Sequence, residues 1–108
     1  MDCYDTALRY AKERIQFDKP IAGTQLQQKK LAEMITEITK AQLLTWRLGV
    51  LRNEGRATTA QISMAKRNNV DMAIHIAREA RQMLGGMGIT GEYSIMRHMM
   101  NLESVITY

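Results

Sequence analysis

Apolar residues along this chain recur three and four positions apart, which is the spacing of one face of an α-helix. The segment from about Asp2 to Arg14 predicts a first helix. Its apolar stripe consists of Tyr4, Ala7, Leu8, Ala11 and Ile15. Pro20 limits this helix, because proline disfavours helical backbone in the residue before it. No run of alternating apolar and polar residues is long enough to predict a strand.

A second predicted helix begins at Thr24, where Thr24 and Gln27 have the spacing of a capping box. Its main apolar stripe consists of Leu31, Met34, Ile35, Ile38, Ala41, Thr45 and Leu48. A second stripe, formed by Leu43, Trp46 and Val50, predicts that this long helix packs on more than one side. Gly55 marks its end, because glycine readily takes the left-handed conformation that follows many helices.

A third helix is predicted from another capping box, Thr58 with Gln61, to the pair Gly85–Gly86. Several of its apolar positions are alanine, which allows a neighbouring helix to approach closely. A shorter fourth helix is predicted from about Glu92 to Glu103. Amphipathic helices joined by short connections predict an all-α fold, an antiparallel up-and-down four-helix bundle that forms one domain over residues 1–108.

The composition narrows the class of protein. Of the 108 residues, 45% are hydrophobic and 24% are charged, as in a globular domain. The one cysteine, Cys3, excludes a disulfide framework and a thiolate metal cluster. No apolar run reaches the roughly 18 residues of a membrane span, and the N-terminus lacks the apolar core of a signal peptide. We expect an intracellular protein.

The formal net charge of +4 has two interpretations. It indicates an anionic partner, such as nucleic acid, a membrane surface or a phosphate-bearing cofactor, or it reflects only solvated helix surfaces. The basic residues form doublets, Lys29–Lys30 and Lys66–Arg67, and they do not alternate with aromatic residues. This pattern disfavours nucleic acid as the partner.

Two local patterns suggest chemistry that their context does not support. Residues 86–91 match G-x-G-x-x-G, but the dinucleotide-binding motif follows a strand, and this segment follows a helix. The loop is then either a helix cap with a tight turn or a backbone that approaches something closely. His75 and Glu79 lie four residues apart on one helix, but two ligands do not make a metal site, and no metal is predicted.

Arg14, Gln25 and the Gly85–Gly86 loop are compatible with a pyrophosphate site. Backbone N–H groups in the first turn of a helix lack partners, so the turn that holds Gln25 suits an anion. A basic residue in the last turn of a helix is also favoured by the helix dipole alone, which explains Arg14 without any ligand. Spacing by itself leaves both interpretations open.

Longer motifs resemble the C-terminal domain of the acyl-CoA dehydrogenase family. Residues 14–21 (R-I-Q-F-D-K-P-I) and 25–34 (Q-L-Q-Q-K-K-L-A-E-M) resemble the family pattern R-x-x-F-x-x-P-I followed by Q-x-x-x-x-x-L-A-x-M. Residues 82–88 (Q-M-L-G-G-M-G) resemble its Q-x-x-G-G-x-G loop. The segments 66–69 and 97–103 are most similar to the glutaryl-CoA dehydrogenase branch. Asp18 departs from the pattern, because many members have glycine there.

The resemblance implies that the chain is the C-terminal bundle of a homotetrameric FAD enzyme. The residues expected to contact FAD are Arg14, Gln25, Gln82, Met83, Leu84, Gly85 and Gly86. In the glutaryl-CoA branch, the substrate acyl-CoA is oxidised and decarboxylated to crotonyl-CoA, and electrons pass to an electron-transfer flavoprotein. The general base is expected to be a glutamate immediately after Tyr108, so no catalytic residue is predicted within the chain, and the chain alone is expected to be inactive. The alternative function is a cofactor-free helical interaction module.

Overall fold

The computed structural model describes residues 1–107, and it confirms an all-α bundle with four α-helices in that part of the chain. The helices are α1 (Asp2–Glu13), α2 (Gln25–Asn53), α3 (Thr59–Met83) and α4 (Ile95–Val105). Two short 3₁₀ helices, Ile21–Gly23 and Gly85–Ile89, lie in the connections. The bundle measures 56 × 25 × 17 Å and is elongated because α2 and α3 are much longer than α1 and α4.

The core lies between α3 and the other three helices, all of which pack against it. Four fully buried alanines belong to the α1 and α3 faces of this core: Ala7, Ala11, Ala77 and Ala80. Their small side chains let the two helices approach closely, as the alanine content of α3 predicts. Leu31, Met34 and Ile38 of α2 and Ile95 of α4 complete the core.

α2 and α3 run antiparallel. Lys30, near the start of α2, donates to Gln82 at the end of α3, and Asn69, earlier in α3, donates to Thr45, later in α2. The main apolar stripe of α2 faces this core. Within residues 1–107 the second stripe is mostly uncovered, however: Leu43 and Trp46 are 60% and 68% exposed, and Val50 is partly buried. Packing of α2 on two sides is therefore not achieved inside the described part of the chain.

The two predicted capping boxes have different outcomes. The box at Thr58 is confirmed, since its hydroxyl accepts from the Gln61 N–H at 3.2 Å and the Gln61 amide accepts from the Thr58 N–H at 2.9 Å. The prediction of a capping box at Thr24 is wrong, although Thr24 is the N-cap residue of α2. Its hydroxyl instead donates to the Ile21 carbonyl at 2.8 Å, because the 3₁₀ helix before α2 places that acceptor within reach.

A two-residue hairpin joins α1 to the first 3₁₀ helix, where no strand is predicted. Ile15–Gln16 pairs antiparallel with Lys19–Pro20. The two turn residues, Phe17 and Asp18, both have positive φ, 52° and 65°. Two consecutive positive φ values are the mark of a tight primed turn. Asp18 thus occupies a left-handed position, which explains why glycine suits this site in the family pattern.

The fourth helix begins at Ile95, three residues later than the sequence predicts. The residues before it are held against α1 as a turn. Tyr93 packs edge-on against Tyr10, with ring centroids 5.7 Å apart, and the Ser94 hydroxyl donates to the carboxylate of Asp2. These tertiary contacts compete with extension of the helix toward Glu92.

Candidate functional site

The predicted site residues gather at one end of the bundle. Arg14 follows α1, Gln25 is the first residue of α2, and Gln82 lies in the last turn of α3. The contact between Tyr10 and Tyr93 brings the end of α1 close to the segment after the glycine loop, and the bond between Lys30 and Gln82 joins the start of α2 to the end of α3. Segments distant in sequence thus meet on one surface.

The backbone of Arg14 is fixed on both sides. Its N–H donates to the Tyr10 carbonyl at 2.8 Å, and its carbonyl accepts from the Ile21 N–H at 3.0 Å. These bonds hold the hairpin against the end of α1. The Arg14 side chain is exposed and forms no ion pair or hydrogen bond with any residue in 1–107. Its guanidinium therefore keeps all of its donors for a ligand.

The start of α2 is the positive end of a 29-residue helix. Because the Thr24 hydroxyl turns back to Ile21, no side chain caps this end. Within residues 1–107, the N–H groups of residues 25–27 have no hydrogen-bond acceptor. Three N–H groups that point along a helix axis are suited to phosphate oxygens, and the exposed side chain of Gln25 lies beside them.

The segment 82–86 offers its backbone more than its side chains. Gln82, Gly85 and Gly86 are exposed, whereas the side chains of Met83 and Leu84 are buried in the core. Contact of Met83 or Leu84 with a cofactor would therefore use main-chain atoms. Gly85 has φ +58°, the left-handed conformation typical of a glycine that follows a helix, and α3 ends where the sequence predicts. A Cβ added at Gly85 or Gly86 would meet no atom within 4 Å, so the surface of this loop is open.

Gly88 shows that part of the loop serves packing. A Cβ at this position would lie 2.2 Å from the Arg81 carbonyl oxygen, so the loop backbone is pressed against α3. The close approach that the glycine content predicts is thus made, at Gly88, to the protein itself. Approach of this loop to a ligand stays a prediction.

Phe17 is a further candidate for the site, and it is not among the residues predicted from the sequence. Its ring is 93% exposed at the tip of the hairpin between Arg14 and Gln25, and its backbone is left-handed. An aromatic residue in that conformation is strained, and strained, exposed residues concentrate at ligand sites. The signal in the sequence is an aromatic residue inside a two-residue turn, in the position where turns favour glycine or asparagine.

A second polar cluster joins α1 to α4 away from this site. One carboxylate oxygen of Asp2 accepts from Ser94 and lies 2.7 Å from His98 Nε2. The bond from Ser94 and then the contact with His98 lower the pKa of Asp2. Next to it, burial raises the pKa of the Cys3 thiol, so this cysteine stays protonated at neutral pH and is a poor nucleophile.

A separate groove lies away from this site. A groove of about 760 Å³ opens where α1 begins and is lined in part by Ile38, Trp46, Met72 and Leu102. The candidate site lies where α1 ends, and the 12 residues of α1 separate the two by about 18 Å. None of the predicted site residues lines the groove.

Metal ligands, membrane spans and the expected general base complete the description. Among residues 1–107, no three His, Cys, Asp or Glu side chains gather as metal ligands. None of the helices described is long and apolar enough to cross a membrane. The predicted general base would follow Tyr108, and Tyr108 itself lies outside the described residues.

Known proteins of one family resemble this chain. A family model described as "Acyl-CoA dehydrogenase, C-terminal domain" matches residues 1–107. The short-chain-specific acyl-CoA dehydrogenase of Megasphaera elsdenii is 35% identical over 102 residues, which are 94% of this chain and 27% of that protein.

Two solved structures are more similar in sequence. The glutaryl-CoA dehydrogenase from Mycobacterium smegmatis is 55% identical, with a TM-score of 0.97, over 99% of this chain and 28% of that one. A glutaryl-CoA dehydrogenase from the same organism, solved in complex with FADH2, is 49% identical, with a TM-score of 0.95, over 98% of this chain and 28% of that one. The chain spans about a quarter of the length of the relatives it matches.

Proposed function

Because the chain belongs to the acyl-CoA dehydrogenase family, we propose that it is the part of such an enzyme that holds the pyrophosphate of FAD and joins subunits. The observation that carries this proposal is the uncapped start of α2 together with the exposed Arg14 side chain, which is unpaired within residues 1–107. The backbone carbonyl of Arg14 accepts from the Ile21 N–H, four residues before α2 begins. FADH2 in the related glutaryl-CoA dehydrogenase structure supports the choice of cofactor.

The residues present fit a dinucleotide. A pyrophosphate needs donors and positive charge, which the N–H groups of residues 25–27 and Arg14 supply. Gly85 and Gly86 leave open backbone for a ligand to approach. The Phe17 ring is 93% exposed and offers an aromatic face on which a planar group of the cofactor would stack. When bound, FAD supplies the acceptor for the hydride that leaves the β-carbon of an acyl-CoA.

The substrate we propose is glutaryl-CoA, with crotonyl-CoA as the product and an electron-transfer flavoprotein as the electron acceptor. The support is the identity to the two glutaryl-CoA dehydrogenase structures from Mycobacterium smegmatis, 55% and 49%. Among the curated relatives the two branches do not separate, since the glutaryl-CoA dehydrogenase of Desulfococcus multivorans is 34% identical and the short-chain enzyme 35%. The enzyme would act in the cytoplasm of a bacterium or in the mitochondrial matrix of a eukaryote.

A homotetramer is the assembly we propose, and α2 supplies the surface for contact between subunits. Leu43 and Trp46 are 60% and 68% exposed on this helix, and Trp46 lies at the groove near the start of α1. Exposed apolar side chains clustered on one helix face are typical of protein contacts. The same surface would serve a cofactor-free interaction module, which makes FAD binding the measurement that separates the two functions.

The test is to measure the affinity of the full-length protein for FAD. Arg14→Ala removes a charge-assisted hydrogen bond worth about 1.5–3 kcal/mol, which raises the Kd for FAD roughly 10- to 150-fold. Arg9→Ala is the matched control, because Arg9 is also exposed on the α1 side and carries the same charge. Quenching of flavin fluorescence measures both. Absence of FAD binding, or equal affinity in the two variants, would refute the proposal.

A further inference from the structure

A partly buried cluster of polar side chains joins α2 to α3 near the candidate FAD site. The Lys30 ammonium on α2 lies 2.9 Å from a carboxylate oxygen of Glu79 and 3.1 Å from the amide oxygen of Gln82, both on α3. The side chains of Lys30 and Glu79 are only 21% and 25% exposed. Lys30 and Gln82 are 52 positions apart in the sequence, and they meet at the end of the bundle that holds Arg14 and Gln25.

The chemistry of lysine decides which way the Gln82 amide points. An ammonium has three donors and no acceptor, so only the oxygen of an amide can face it. With that oxygen held by Lys30, the NH₂ group of Gln82 must point away from the cluster. Gln82 is exposed, and it therefore presents donors rather than an acceptor at the surface.

This orientation matters for an anionic ligand. An amide that is free to rotate must lose rotamer freedom to keep its NH₂ group toward a phosphate, because its oxygen repels phosphate oxygens. An amide that is already fixed avoids this cost on binding. Glu79 neutralises the charge of Lys30 and holds the ammonium in place, because Glu79 and Gln82 are three residues apart and share one face of α3.

The neighbouring lysine provides a contrast. Lys29 is 74% exposed and lies 3.7 Å from Glu33 of its own helix, so its charge stays on the surface of α2. Only Lys30 reaches across to α3. The contact between Lys30 and Gln82 is therefore a specific geometry and not a general property of the lysine pair.

We propose that Lys30 is a positioning residue, which fixes the Gln82 amide so that its NH₂ group donates to the phosphate oxygens of the bound dinucleotide. The inference rests on the proposed function of the Arg14 surface and adds a residue that does not itself contact the ligand. If Lys30 only joined α2 to α3, its loss would lower the stability of the fold. Any effect on the Kd for FAD would then be the same with and without the Gln82 side chain.

The experiment is a double-mutant cycle on FAD affinity in the gene product at its full natural length. Lys30→Met removes the ammonium and keeps the side-chain length, and Gln82→Ala removes the amide. A neutral hydrogen bond contributes about 0.5–1.5 kcal/mol net, so each single variant is expected to raise the Kd for FAD roughly 2- to 13-fold. In the Gln82→Ala background, Lys30→Met should then add less than about twofold, because its route to the ligand is gone.

Two further variants sharpen the test. Lys30→Arg keeps a donor-only cation and should restore affinity to within about twofold of the natural protein. Lys29→Met removes the same charge one position away and should leave the Kd for FAD unchanged. The Tm of every variant is measured as well, so that a loss of stability is recognised.

Each outcome decides the matter. An effect of Lys30→Met that is equal in both backgrounds, or no effect of Gln82→Ala, overturns the inference. If Arg14→Ala weakens FAD binding while Lys30→Met does not, the inference fails and the proposed function stands. If the natural protein binds no FAD, both fail.

Discussion

Replacement of Gly88 by alanine tests whether the glycine loop is built by packing. The added Cβ would lie 2.2 Å from the Arg81 carbonyl oxygen and 3.0 Å from the Arg81 carbonyl carbon. Ordinary contacts between carbon and a carbonyl oxygen are about 3.3–3.6 Å, so the loop must move by roughly 1 Å. Both groups in the clash are backbone, and neither can turn aside as a long side chain can.

The expected loss of stability follows from this clash. Overpacking in a well-packed region costs about 1–3 kcal/mol, and the loop is followed by α4, whose Ile95 is fully buried. Alanine reduces the entropy of the unfolded chain, which returns about 0.4–1 kcal/mol. The midpoints of these two ranges differ by about 1.3 kcal/mol, which is the loss we expect Gly88→Ala to cause in the free energy of unfolding. For a chain of this size that corresponds to a fall of roughly 5–10 °C in Tm.

Two other glycines of the same loop serve as controls. Gly86→Ala meets no atom within 4 Å and needs no left-handed backbone, so its stability should stay within about 0.5 kcal/mol of the natural chain. Gly85→Ala also has space, but its φ of +58° costs an L-residue about 1 kcal/mol. Urea unfolding followed by far-ultraviolet circular dichroism, at one protein concentration, gives the order. A Gly88→Ala chain as stable as Gly86→Ala would refute the reasoning.

Three further predictions concern caps, acid and association. Thr58→Ala should lower the free energy of unfolding by about 1 kcal/mol because the confirmed cap of α3 is lost, and Thr58→Ser should keep the natural midpoint in the same urea titration. The pKa of Asp2 is lowered in the folded chain, so its carboxylate stabilises the fold above its ordinary pKa of 3.8, and this stabilisation is lost as the pH falls through the lower folded value. Asp2→Asn should therefore show a shallower loss of stability in acid titrations, and parallel curves would contradict this. The chain should self-associate through the exposed stripe on α2, and Trp46→Lys with Leu43→Lys should shift its sedimentation toward a monomer, whereas a natural chain that is monomeric at high concentration would count against an interface there.

Local features of the fold could be predicted because their causes are local in sequence. Helical spacing of apolar residues identified all four helices, and Gly55 has the left-handed φ of +69° expected after α2. The capping box at Thr58 needs only residues three apart, and it formed. The family motifs are likewise runs of residues, so the resemblance was visible before any contact was known.

Features that depend on contacts between distant residues could be decided only by the tertiary structure. Thr24 has the same capping spacing as Thr58, but the carbonyl of Ile21 competes for its hydroxyl. Which stripe of α2 is buried depends on where α3 lies, since both stripes have helical spacing. Lys30 and Gln82 are 52 residues apart, and Gly88 is needed because a turn of α3 passes beneath it. Periodicity specifies the face of a helix, whereas the partner of that face is fixed only when the helices pack together.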